Sequence, residues 1–81
     1  MNAAPGKAAR PNQINPDKLY LSKWTAVVPQ NREKHFLVTK LLLDEEENVI
    51  GCVLEAVLTN REQRLDWRVL KDRACWQPGW R

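Results

Sequence analysis

From Lys18 onward the apolar positions recur in short alternating runs. In "KLYLSKWTAVVP", Trp24, Ala26 and Val28 fall on one side of an extended segment and Thr25 and Val27 on the other, up to Pro29. "QNRE" reads as a polar turn. "KHFLVTKLLLD" is apolar on both sides: Phe36, Val38 and Leu42 alternate with Leu37, Leu41 and Leu43. A short strand of that kind is central, or curls so that both faces are partly covered. "EEEN" predicts a charged hairpin tip with Asn48 available for a left-handed turn position. In "VIGCVLEAVLT", Ile50, Cys52, Leu54, Ala56 and Leu58 form one apolar face, with Gly51, Glu55 and Thr59 opposite. Gly51 inside a strand predicts a bulge or a bend.

The segment "NREQRLDWRVLKDRACW" supports two readings, and residues 62–70 stay open between them. Leu65, Trp67 and Val69 alternate with Arg64, Asp66 and Arg68 as in a strand. Asn60 followed by Gln63 resembles a capping box, and Leu65–Val69, Trp67–Leu70 and Leu70–Ala74 fit a helix. The pattern favours a strand through about Trp67, then a helical turn over Leu70–Trp76, broken by Pro78-Gly79. The expected fold is therefore mainly β: a small antiparallel sheet of about four strands, curled like an SH3-type barrel, with a short C-terminal helical turn. Its core is expected to hold Trp24, Leu54, Leu58, Trp67 and Trp76. The stretch "CWQPGWR" should be packed down, with Trp76 closing one end of the barrel and Pro78-Gly79 returning Trp80 to the sheet.

Length and composition change this picture in two places. The 81 residues make one domain at most, and "MNAAPGKAARPNQINP" holds three of the five prolines. Beyond Met1, its only aliphatic residue larger than alanine is Ile14. Such a stretch buries too little apolar surface to offset its ordering entropy, so residues 1–17 are expected to be a disordered basic arm and residues 18–81 a single compact domain. A domain of that size is marginal without reinforcement, which the four tryptophans can supply. The opening stretch is too polar for a signal peptide, and no apolar run approaches the ~20 residues of a membrane span. A cytoplasmic protein with reduced thiols is expected, with Cys52 and Cys75 as small core residues.

Four segments in order, "SKWTAV", "KHFLVT", "LEAVLT" and "LKDRACWQPGW", resemble the small tryptophan-rich proteins of proteobacteria and cyanobacteria, a domain family of unknown function. The resemblance covers about Asn15 to Arg81. It implies a bacterial cytosolic protein, and it carries no catalytic or binding residue over to this chain.

The chemistry-bearing residues point away from catalysis. Cys52 lies on the apolar face and Cys75 beside Trp76, settings that raise a thiol's pKa. His35, the one histidine, reads as a capping residue at a strand start. Cys52, Cys75 and His35 lack the spacing of a zinc site, and the run Asp44-Glu45-Glu46-Glu47 lacks the alternating ligands of a calcium loop. Gly6, Gly51 and Gly79 are isolated, so no phosphate loop exists. No enzymatic activity, metal or cofactor is expected.

Charge is unevenly divided: +3 over residues 1–23, −3 over 24–60 and +3 over 61–81. Arg61, Arg64, Arg68, Lys71 and Arg73 crowd together with Trp67 and Trp76, and Lys23 precedes Trp24. Basic residues interleaved with aromatics suit single-stranded nucleic acid. The expectation is a non-enzymatic binding module for nucleic acid or a ribonucleoprotein. The alternative is a protein–protein adaptor working through a sheet edge or a hydrophobic groove.

Overall fold

A computed structural model describes residues 11–81. Five strands form one antiparallel sheet: β1 (Lys23–Gln30), β2 (Glu33–Leu43), β3 (Val49–Ala56), β4 (Glu62–Leu65) and β5 (Trp76–Pro78), in the order β4-β3-β2-β1-β5. The mainly antiparallel β architecture is as expected, but the sheet is open, with β4 and β5 as separate edges. Its extents of 42 × 34 × 16 Å describe one sheet with a thin covering layer.

Local chemistry sets the turns. Asn31 and Arg32 join β1 to β2 with φ of 56° and 63°, the two left-handed residues that match the right-handed twist of a tight hairpin. At the β2–β3 tip the left-handed residue is Glu47 (φ 66°), not Asn48. Asn48 is held instead by the Asp44 carboxylate, which accepts from its backbone N–H at 2.9 Å and its Nδ2 at 3.3 Å. Those bonds, with one from the Glu46 N–H, keep the Asp44 carboxyl below its usual pKa.

Two positions of the expected apolar face, Ile50 and Leu58, are exposed. The β2–β3 register passes from Leu42↔Gly51 to Leu43↔Val49, so Ile50 is bulged out of the ladder. Gly51 is the bend that alternation predicts there, and a Cβ on it would meet the Leu65 carbonyl oxygen at 2.8 Å. Leu58 is exposed because β3 ends at Ala56: Asn60, at φ 63°, donates its N–H to the Ala56 carbonyl and turns the chain. The apolar alternation of the sequence continues across that turn, but the strand does not.

The region open between strand and helix contains both. β4 stops at Leu65, and Asp66, whose side chain accepts from the Arg68 N–H, caps a 3₁₀ helix over Trp67–Lys71. The expected helical turn over Leu70–Trp76 is thus displaced toward the N-terminus. Trp76 begins β5, which pairs with β1 through Ala26↔Trp76, Thr25↔Gln77 and Trp24↔Pro78.

The assignment of residues 1–17 to an arm needs dividing. Residues 1–10 lie outside the described residues. Asn12 is buried, donates Nδ2 to the carbonyls of Leu70 and Trp76, and donates its N–H to Lys71. Asn15 caps a 3₁₀ turn over Pro16–Lys18, and Ile14 packs against the core. Composition missed this because the segment is held by side-chain amides more than by apolar burial.

The core occupies one face of the sheet. Trp24 and Phe36, Phe36 and Ala56, Val38 and Leu54, and Leu41 and Cys52 are cross-strand pairs on that face. Leu19, Trp67 and Leu70 cover it. The two buried indoles satisfy their N–H groups, Trp24 on Ser22 Oγ (2.8 Å) and Trp67 on the Val49 carbonyl (3.1 Å). No helix among the described residues is long and apolar enough to cross a membrane.

Candidate binding surfaces of the sheet

The covering layer leaves one end of the core face open. β1 and β2 are paired at Thr25↔His35 and again at Gln30↔Glu33, so β1 carries three extra residues between these points and arches away. Val27 and Val28 are exposed on the arch, and Pro29 brings no N–H to it. Beneath lies a groove of about 330 Å³, lined by Ala26, Val28, Phe36, Trp76, Arg61 and Gln63 among others. The Phe36 and Trp76 rings meet edge to face, 5.2 Å between centroids and 82° between planes.

One wall of the groove is charged. Glu33 is 3% exposed and accepts from Arg61 Nε at 3.0 Å, from Arg61 Nη2, and from the Thr59 hydroxyl. Hydrogen bonds from Arg61 and Thr59 hold the Glu33 carboxyl below its usual pKa, and the Arg61 guanidinium is raised in turn. This clamp fixes the β3–β4 turn against the β1–β2 hairpin. It leaves Arg61 Nη1 outside the fork, on a side chain half open to solvent.

The opposite face presents polar side chains, as an antiparallel sheet with one solvated face should. The chain after β5 crosses it. Thr25 Oγ donates to the Gly79 carbonyl (2.6 Å) and accepts from the Arg81 N–H (3.0 Å), and Trp80 Nε1 donates to the Phe36 carbonyl (2.9 Å). Lys23 Nζ stands 4.8 Å from the Trp80 ring centroid, and His35 lies 6.1 Å from it, ring to ring. The expectation that "CWQPGWR" is packed down agrees with these contacts, although Trp76 acts as an edge-strand residue rather than a barrel plug.

The expected basic patch is not one surface. Arg61 is engaged with Glu33. Arg68 pairs with Asp66 (3.2 Å) and lies with Lys71 over the Trp67 ring, at 5.3 and 5.2 Å. Arg64 sits on β4 opposite Val53, on the outer face, with Lys40 beyond it on β2. Lys23 belongs to the Trp80 site. Arg73 lies exposed in the turn before β5. Neighbours in sequence here alternate across a strand and then wind round a 3₁₀ helix, so spacing along the chain gave a false proximity.

Of the expected core residues, Trp24, Leu54 and Trp67 are buried and Trp76 is half-buried. The thiols differ. Cys52 is fully buried, and burial pushes its pKa up to about 11. Cys75 is exposed, contrary to the core assignment; its contact with the Asp72 carboxylate raises its pKa. Among the described residues no three metal-ligating side chains cluster.

A family model described as tryptophan-rich protein (DUF2389) matches residues 22–81. The chain belongs to this family. Comparison with curated proteins and with solved structures gives no match. In this tryptophan-rich protein the four indoles divide the labour: Trp24 and Trp67 fill the core, Trp76 floors the groove, and Trp80 lies half-exposed on the outer face.

Arg61 and Trp76 are among the expected binding residues, but their grouping with Ala26, Val28 and Phe36 in one groove has only a weak signal in the sequence. The one trace is the apolar run Val27-Val28 ending in Pro29, which is poorly suited to a paired strand.

Proposed function

We propose that this protein is a non-enzymatic binding module that takes a large apolar side chain of a partner polypeptide into the groove between the β1 arch and Trp76. The observation that carries the reading is the arch itself. It leaves a concave apolar site with a few convergent polar groups, the usual form of a recognition pocket. An acidic group next to the apolar side chain would meet Arg61 Nη1, since guanidinium and carboxylate are matched in shape and charge. N-acetyltryptophan is a suitable probe, offering an indole and a carboxylate on one small frame. In an amide-shift titration we expect perturbations at Ala26, Val28, Phe36 and Arg61, and weaker binding of the uncharged N-acetyltryptophanamide. Unperturbed groove amides at saturating probe would reject the reading.

The second reading, single-stranded nucleic acid, rests on Trp80 with Lys23 and His35 beside it. A half-exposed ring beside the Lys23 ammonium can stack on a base while phosphate is neutralised. A short oligothymidylate should then perturb Lys23, His35 and Trp80, with affinity falling steeply as salt rises. Binding at that site alone would replace the groove as the protein's working surface.

A further inference from the structure

Among the described residues no strand pairs with the outer edge of β4, and this edge carries a pattern that the groove does not use. The Ala56 N–H donates to the Arg61 carbonyl at 2.9 Å, which makes Ala56 and Arg61 a hydrogen-bonded pair at the start of the β3–β4 ladder. Such pairs alternate in an antiparallel ladder. With the register Glu55↔Glu62, Leu54↔Gln63, Val53↔Arg64 and Cys52↔Leu65, the backbone bonds to β3 come from Gln63 and Leu65. The N–H and C=O groups of Glu62 and Arg64 therefore face outward, away from the sheet. An edge of this kind is a template for another strand.

Consider a second copy pairing antiparallel on this edge. The two-fold axis can pass through Glu62, Gln63 or Arg64. Only the axis at Gln63 lets the outward groups of both residues bond on both strands. It sets Glu62 directly opposite Arg64 of the second copy, twice over. The other two axes set Glu62 against Glu62 or Arg64 against Arg64, and like charges directly opposite are destabilising. Within one copy, Glu62 stands opposite Glu55. Neither Glu62 nor Arg64 enters an ion pair among the described residues. An arginine from a second copy would relieve the Glu55–Glu62 repulsion.

We propose that β4 is a docking edge for a second copy of this chain, in a two-fold pairing centred on Gln63 that makes the two sheets continuous. The contact is isologous, so it closes at the dimer. Because β4 is only four residues long, the association is weak, rapidly reversible and stronger at low salt.

Sedimentation velocity over about a hundredfold range of protein concentration at low salt tests the proposal, since so small an interface associates weakly. Wild type should move from monomer toward dimer. Glu62→Arg and Arg64→Glu each set like charges opposite one another and should stay monomeric. Both positions are solvent-exposed, so the variants should fold, as amide spectra would verify. An equimolar mixture of the two variants restores opposite charges at every cross-strand position and should dimerise, as should the double exchange Glu62→Arg/Arg64→Glu. Wild type that stays monomeric throughout, or a mixture that does not associate, overturns the proposal. Gln63 turns its side chain to the groove face while Glu62 and Arg64 lie on the other, so the N-acetyltryptophan titration, followed at Ala26, Val28 and Phe36, reads the groove separately.

Discussion

At one end of the core face, Leu19, Trp67 and Leu70 press onto Trp24, Val38 and Leu54, and little space remains. At the other, β1 lifts off β2, and Phe36 and Trp76 are left beneath an open groove. The same sheet builds both ends. The filled end is closed by two tryptophans whose indole N–H groups are bonded within the fold. The open end is bounded by an ion pair, Glu33 with Arg61, which holds its wall in place without filling the space. A small domain can leave an apolar hollow if the adjoining core is dense enough to carry its stability.

That contrast is breakable by mutation. The largest effect is expected at the filled end, where Trp67→Ala should cost about 3–5 kcal/mol in chemical denaturation and orphan the Val49 carbonyl. A loss under about 1 kcal/mol would mean that the covering layer does not carry the fold. Trp76→Ala, removing a half-buried ring, should cost about 1–3 kcal/mol and abolish N-acetyltryptophan binding. If it costs as much as Trp67→Ala, the two ends are one core and the distinction fails.

Glu33→Gln should lower the unfolding midpoint by less than Trp76→Ala, and the deficit should depend on pH. Hydrogen bonds from Arg61 and Thr59 depress the folded pKa of Glu33 below the ordinary glutamate value. Its contribution is therefore fully present above the unfolded pKa and is lost as pH falls through the lower folded value. The difference between wild type and variant should be constant near neutrality and shrink below about pH 4. A difference that does not change with pH would assign the clamp to shape rather than charge. The smallest effect belongs to Val28→Asp on the exposed arch. It should shift stability by no more than about 0.5 kcal/mol, yet repel the carboxylate of N-acetyltryptophan. Undiminished binding would show that the arch does not line the working site.

Much of the filled end was legible in the sequence. Alternation located β2 and β3 and identified Leu54 as interior, because the two-residue period of a strand is a local property, whereas Trp24 and Trp67 were marked for the core by the size of their rings. Gly51 marked the bend beside the β2–β3 bulge. The open end was barely legible, since Pro29 is the one local trace in "AVVP" and it does not say that three residues will leave the ladder. Asn12 was unreadable for the same reason: its partners, Leu70 and Trp76, are distant in sequence.

By itself, then, the sequence determined a mainly antiparallel β domain, its tryptophan-rich interior and a final segment packed against the sheet. Each follows from composition or from a period of two along one strand. The tertiary structure decided that the sheet stays open, that Ile50 and Leu58 face solvent, and that the basic residues of 61–73 scatter over several surfaces. Those outcomes depend on register, on turn positions and on which segments return to cover a face. Such facts are set by contacts between residues far apart in the chain, and no window of neighbouring residues contains them.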